Sequence, residues 1–306
     1  MTSLRFKDIP FELQATDIKK HILNVDSRFR EPGSGGSNAD FQFRLLSPVK
    51  NVLRIRITSI EMPNNYYIFS SKRRNVVLRI FYGVELASSA VIKIPSGNYS
   101  AFDMVDAVNT ALVAKGLPWL SVYYNLVTSG FTFTGNQVFA LDTALLTTPP
   151  SALTWPRTHD YGLGYNMGFS YGIFDSGIPD ASGNRTVTSD QLPNFAGDTY
   201  VFLKVNDFDC VRQTVGDSDF TALAKIVVRE PKNYMSFDDY AGQHAKEVVF
   251  KTPQDLSRLR VQLLDPYGEI LQMGSTHISF SIEVLEIMNL SLYNTVRDAF
   301  AVGWRV

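Results

Sequence analysis

The sequence predicts an all-β protein: a jelly-roll-like antiparallel β-sandwich with one inserted helix, long loops and extended terminal arms. Three observations predict it. Apolar residues recur at every second position in block after block, as in Phe41, Phe43 and Leu45, the period of a half-buried strand. The chain carries 21 Phe and 14 Tyr, whose broad rings pack well on a pleated surface. No regular strand–helix alternation occurs, which disfavours a parallel α/β sheet, and no short internal period marks a solenoid or propeller. Two packed sheets with inserted loops account best for about nine or ten strands.

Taken in order, residues 1–30 read as an N-terminal arm, with a short strand over Ile22, Leu23 and Val25. The Gly/Ser-rich run from Glu31 to Asn38 is a flexible connector. A sandwich domain is expected over 31–288. Its strand at Phe41–Leu45 should end at Pro48. Leu53, Ile55 and Ile57 then face one side of a second strand, with Arg54, Arg56 and Thr58 on the other. Pro63-Asn64-Asn65 is a turn cluster, and Val76–Tyr82 and Val91–Ile94 are further strands.

One helix interrupts the strands. Ser100 is its N-cap, with Asp103 three residues on as a capping-box variant. Met104, Val108 and Leu112 fall at i, i+4 and i+8, Val105 widens that stripe, and Gly116 and Pro118 stop the helix. Strands resume at Ser121–Tyr124 and Phe131–Thr134. Residues 145–197 are rich in Gly, Pro, Ser, Thr, Asn and Asp, and read as a loop-rich insertion pinned by aromatic anchors.

β structure then returns at Tyr200–Val205, Leu223–Arg229, Leu259–Leu264 and His277–Leu285. Thr252-Pro253 has the form of a helix start, and Asp265-Pro266-Tyr267-Gly268 is a turn. Residues 289–306 form a C-terminal tail in which Leu292, Val296 and Phe300 fall at helical spacing.

Composition narrows the function. Lys+Arg is 29 and Asp+Glu 30, a net charge of -1, without the basic excess of a dedicated nucleic-acid binder. The lone Cys210 allows no internal disulfide, which suits a reducing compartment. The N-terminus lacks a signal-peptide apolar core, and no run of eighteen apolar residues is present, so no transmembrane segment is expected. The sequons at Asn98, Asn184 and Asn289 match the glycosylation pattern by chance on this reading.

Motifs for chemistry are weak. Gly33-Ser-Gly35-Gly36 has no Lys-Ser/Thr after it, and Gly162, Gly164 and Gly168 miss dinucleotide spacing by one residue. His21, His159, His244 and His277 show no ligand spacing for zinc. Asp207, Asp209, Asp217, Asp219 and Asp238-Asp239 match no calcium loop and read as turn residues. No Gly-x-Ser-x-Gly elbow occurs. No catalytic residue, cofactor or metal is therefore assigned. The candidate partner contacts are Phe6 and Phe11 in the arm, Arg54 and Arg56 on their strand face, Trp155, Tyr161 and Tyr165 in the insertion, and Leu292, Val296 and Phe300 in the tail.

The chain resembles capsid-associated proteins of nucleocytoplasmic large DNA viruses. The resemblance runs from Ile22-Leu-Asn-Val-Asp-Ser-Arg-Phe-Arg30 through Asp40–Leu45 and Pro48–Asn64. It continues through Ile94-Pro-Ser-Gly-Asn-Tyr-Ser100, Leu163–Phe169, Tyr200–Asp207, Leu263–Gly268 and Ile278–Ile287, so it covers about residues 22–287 as ordered blocks. It implies a non-enzymatic virion structural protein, made in the host cytoplasm and located in an icosahedral capsid. On this reading it is a minor capsid protein that contacts the major capsid protein and other minor capsid proteins, oligomeric within the shell and without a specific nucleic acid. A penton protein of the same capsid and a jelly-roll glycan-binding or attachment protein are the alternatives. Stacking of Trp155, Tyr161 and Tyr165 on sugar rings would mark the last.

Overall fold

A computed structural model describes residues 17–33, 36–143, 162–215, 218–232, 234–238 and 246–303. The chain begins with β1 (Ile18–Asp26), β2 (Asp40–Pro63), β3 (Val77–Tyr82), β4 (Ser88–Lys93), α1 (Ala101–Ala114), β5 (Leu120–Asn125), β6 (Gly130–Gly135) and β7 (Phe139–Asp142). Next come α2 (Leu163–Asn166), β8 (Ile173–Asp175), β9 (Arg185–Thr188), β10 (Tyr200–Val205), β11 (Val211–Val215), β12 (Ser218–Ala222) and β13 (Ala224–Val227). It closes with β14 (Met235–Asp238), β15 (Glu247–Leu264), β16 (Ser279–Ile287) and α3 (Leu290–Gly303). The protein is all-β and jelly-roll-like, with antiparallel, curled sheets and few helices. Two compact units share the chain: Met1–Tyr66 with Thr199–Val306, and Tyr67–Asp198.

The first unit holds a two-stranded sheet, β11-β12, and a larger one in the order β1-β16-β2-β15-β10-β13, with β14 on the end of β2. Its long strands bend because their ladder is broken. Val249–Gln254 of β15 lies against only Arg54–Val52 of β2, and Val49–Arg44 of β2 against only Leu256–Arg258 of β15. Both strands thus bulge, and the widest bulge of each holds a proline, Pro253 or Pro48, which has no N–H to give to a ladder. This corrects two expectations. Pro48 does not end a strand, and Thr252-Pro253 does not start a helix; both lie inside long strands. The bend turns both halves of the sheet toward one core, so Phe41, Val201 and Leu263 share it with Ile57, Ile282 and Val284. The expected turn closes as read: Asp265 Oδ1 accepts from the Tyr267 and Glu269 amides, and Gly268 takes a φ of +84°.

The second unit has sheets β4-β3-β7-β8 and β5-β6-β9, with α1 packed on β4 and β5. The Ser100–Asp103 capping box forms, and Met104, Val108 and Leu112 are buried. Asn109 brackets Val122 of β5, donating to its carbonyl at 3.0 Å and accepting from its amide at 2.8 Å. That pairing satisfies backbone groups at the edge of β5 as a strand would. Phe169 and Phe195 anchor residues 162–198 against Phe133 and Phe131. Part of the expected loop region is nevertheless regular, since β8 and β9 lie within it as strands of three and four residues.

Candidate functional site

The strongest candidate surface begins at a turn. Asn64 holds the approach to β14: its amide donates to the Tyr234 carbonyl at 2.8 Å and its side-chain Nδ2 to the Glu230 carbonyl at 2.6 Å. Lys232 donates to Asn64 Oδ1 at 2.9 Å while its ammonium sits 3.8 Å above the Tyr66 ring. These bonds set β14 antiparallel to the end of β2, Met235 opposite Pro63 and Phe237 opposite Glu61. Alternation does the rest. Ser236 turns inward beside the buried Met62, so Met235 (55% exposed) and Phe237 (61%) turn outward, with Tyr234 (63%) preceding them. Among the described residues β14 pairs with β2 alone. Elsewhere in this unit, Leu46 in the β2 bulge is fully exposed. The sequence signal for β14 is two apolar residues around a serine, too short a run to separate from a loop.

Across the same sheet, side chains of β1, β16, β2 and β15 meet in rows. Ile22, Glu283, Arg56 and Glu247 form one row, and Lys20, Leu285, Arg54 and Val249 the next. Arg54 Nη2 lies 2.8 Å from Glu283 Oε1, and its Nη1 lies 3.6 Å from Glu247. Arg56 and Lys20 approach Glu283 at 3.9 and 4.0 Å. The Arg54 and Glu283 side chains are only 9% and 10% exposed. The strand face on which Arg54 and Arg56 were expected to meet a partner thus carries an ion-paired network. Of the two arginines, Arg56 presents surface, whereas Arg54 is buried.

The tail is helical. Asn289 Oδ1 caps α3 by accepting from the Leu292 amide at 3.0 Å. Leu290 and Tyr293 pack with Leu53, Leu285, Ile287 and Ile18, which leaves Leu292 exposed at 41%. The side chains of Val296 and Phe300 lie outside the described residues, as do Phe6, Phe11, Trp155 and Tyr161. Tyr165 is half-buried in α2 of the second unit. Of the described candidate contacts, Arg56 and Leu292 belong to the first unit and Tyr165 to the second.

Other chemistry-bearing groups have structural partners. His21 pairs with Glu286 at 2.6 Å, and His277 Nδ1 meets Ser27 Oγ at 3.1 Å; His159 and His244 lie outside the described residues. Cys210 donates to the Glu247 carbonyl, and burial pushes its thiol up from the usual range. Asp219 pairs with Arg212. Among the described residues no three His, Cys, Asp or Glu side chains gather to hold a metal ion, and no helix is long and apolar enough to cross a membrane. Gly164 and Gly168 serve packing: a Cβ would come within 2.5 Å of Thr143 Cγ2 and 2.3 Å of the Gln191 carbonyl, respectively.

No protein-family model and no curated protein matches the chain. Among solved structures it is similar to the mavirus penton protein, with 11% identity, 88% of this chain and 100% of that chain covered, and a TM-score of 0.46. The complex of VP16 and VP17, the two major capsid proteins of bacteriophage P23-77, aligns over the same shares at 11% identity and a TM-score of 0.18. Overlaps this low carry no functional argument, so the case rests on the side chains.

Proposed function

We propose that this chain is a virion structural protein: a non-enzymatic minor capsid protein that cements an icosahedral shell through protein–protein contacts. The observation that carries the reading is β14, among the described residues an edge strand, with Met235 and Phe237 exposed on its outward face. Soluble monomers blunt such edges with charge, proline or a covering element. An apolar edge left open suits pairing with another protein, and aromatic and methionine side chains are enriched at such interfaces. The capsid-protein resemblance of the ordered sequence blocks supplies the setting. The partners on this reading are the major capsid protein and other minor capsid proteins, and the location is the virion capsid. The glycan-binding reading has its aromatic residues in the second unit and draws no support from β14.

The experiment is cross-linking of intact virus particles with a lysine-reactive reagent, followed by peptide mapping. Lys232 and Lys246 flank β14 and are expected to link to a capsid protein. A chain that is not recovered with the shell refutes the reading. Links only among five copies around a vertex would replace a cementing role with the penton role.

A further inference from the structure

Beside the start of β2 in the first unit lies an open cavity of about 670 Å³, lined by Arg28, Arg30, Glu31, Pro32 and His277 among others. Its charges do not cancel. Asp26 is buried, and its carboxylate takes the Arg28 amide at 2.8 Å and the Arg28 guanidinium at 2.5 to 3.1 Å. That pairing, chiefly the Arg28 side-chain bond, holds the Asp26 carboxyl below the usual carboxylate range. Glu31 on the wall is met by Arg258 at 3.0 Å. Each acid thus has its own arginine, and Arg30 is left over.

Arg30 is held in place but not neutralised. Its Nη1 donates to the Ser27 carbonyl at 3.0 Å and to Asn38 Oδ1 at 2.8 Å. Asn38 is itself buried and is fixed by donating to the Gly274 carbonyl at 3.1 Å. Both acceptors are uncharged, and among the described residues no carboxylate lies within ion-pair distance of Arg30. Its Nε and Nη2 donors stay unused by described residues, in the planar fork that matches an oxyanion. Beside it, the Nδ1 side of His277 is occupied by Ser27 Oγ, a buried hydroxyl that also accepts from the Ile278 amide at 3.1 Å. With Ser27 donating its hydroxyl hydrogen to Nδ1, the ring hydrogen sits on His277 Nε2, which is then a further donor.

We propose that this cavity is an oxyanion-binding site, with Arg30 as the charged anchor and His277 as second donor, taking a phosphate or carboxylate group. The site is independent of the capsid reading: it asks only for a compact anion that can accept from a guanidinium fork and an imidazole.

The test uses the full-length chain at low ionic strength, where such contacts are least screened. Inorganic phosphate and, separately, acetate are titrated while the His277 ring resonances are followed by NMR. Saturable binding is expected, and Arg30→Gln should weaken it at least tenfold. His277→Gln should weaken it severalfold, and Lys115→Gln on the second unit should leave it unchanged. Arg30→Lys, which keeps the charge but loses the fork, should fall between wild type and Arg30→Gln. A response to phosphate alone identifies a phosphate site, and a response to both anions a general oxyanion site. If Arg30→Gln lowers the melting temperature, His277→Gln and Arg30→Lys carry the reading instead. Absence of saturation with either anion, or equal binding by wild type and the Arg30 and His277 variants, overturns the proposal.

Discussion

Removing Glu283 tests the charged sheet face directly. Its carboxylate is 10% exposed and lies 2.8 Å from the equally buried Arg54 guanidinium, with Arg56 and Lys20 at about the outer limit of ion pairing. Deleting one partner of a buried pair costs about 3–5 kcal/mol, because the other charge is left without compensation. Arg54 keeps Glu247 at 3.6 Å, but that carboxylate is 46% exposed and screened by water. The expected cost of Glu283→Ala is therefore near the lower end, about 3 kcal/mol. A paired apolar replacement, Arg54→Met with Glu283→Leu, removes both charges together and should cost less than about 1 kcal/mol. The assay is hydrogen exchange of β2 and β16 amides in increasing urea, which reads the first unit's transition on its own strands. A Glu283→Ala cost below about 1 kcal/mol, or a double replacement as damaging as the single one, would refute a buried, coupled pair.

Further predictions concern single sites. Ser100→Ala removes the N-cap of α1 and should lower the second unit's stability by about 1 kcal/mol in urea melts. The Ser100 hydroxyl and amide hold the Asp103 carboxyl below the ordinary carboxylate range. Its contribution is thus present above the unfolded-state pKa and fades as pH falls through the folded-state value. Asp103→Asn should correspondingly flatten the acid end of the stability–pH curve, as read by urea melts between pH 6 and 2. Gly168→Ala forces a Cβ onto the Gln191 carbonyl at a φ of +84°, and should cost at least about 2 kcal/mol by the same melts. Phe237→Glu should leave the melting curve within about 0.5 kcal/mol of wild type, because the side chain is exposed. It should abolish recovery of the chain with assembled shells, measured by sedimentation of particles.

Much of the strand content was legible because burial on one face forces a two-residue period. Ile55 and Ile57 read as core from their spacing alone, and the α1 stripe read from 3.6-residue spacing and a cap within the same turn. Proline misled twice, at Pro48 and Pro253. A proline usually ends a strand, yet here each falls in a bulge, and a bulge is defined by the partner strand's register. Short edge strands such as β8, β9 and β14 were illegible, since three or four residues hold too few alternations to stand out. Of the candidate contacts, Arg54 and Arg56 look equivalent in sequence, two positions apart on one face. Only the tertiary packing separates them: Arg54 is buried 2.8 Å from Glu283, whereas Arg56 stays half-buried 3.9 Å from the same carboxylate.

The sequence by itself determined that this chain is built of strands, where its main helix starts and stops, and which face is apolar in the cleanly alternating parts of the long strands, such as Leu53–Ile57 and Leu259–Leu264. Those properties depend on neighbours within a few residues, whose side chains already state the period. The tertiary structure decided which strands pair, how residues 199–306 return to complete the unit begun by the first 66, and which charges find partners. Pairing between residues two hundred positions apart is set by the shape of the shared core, and no local pattern records it.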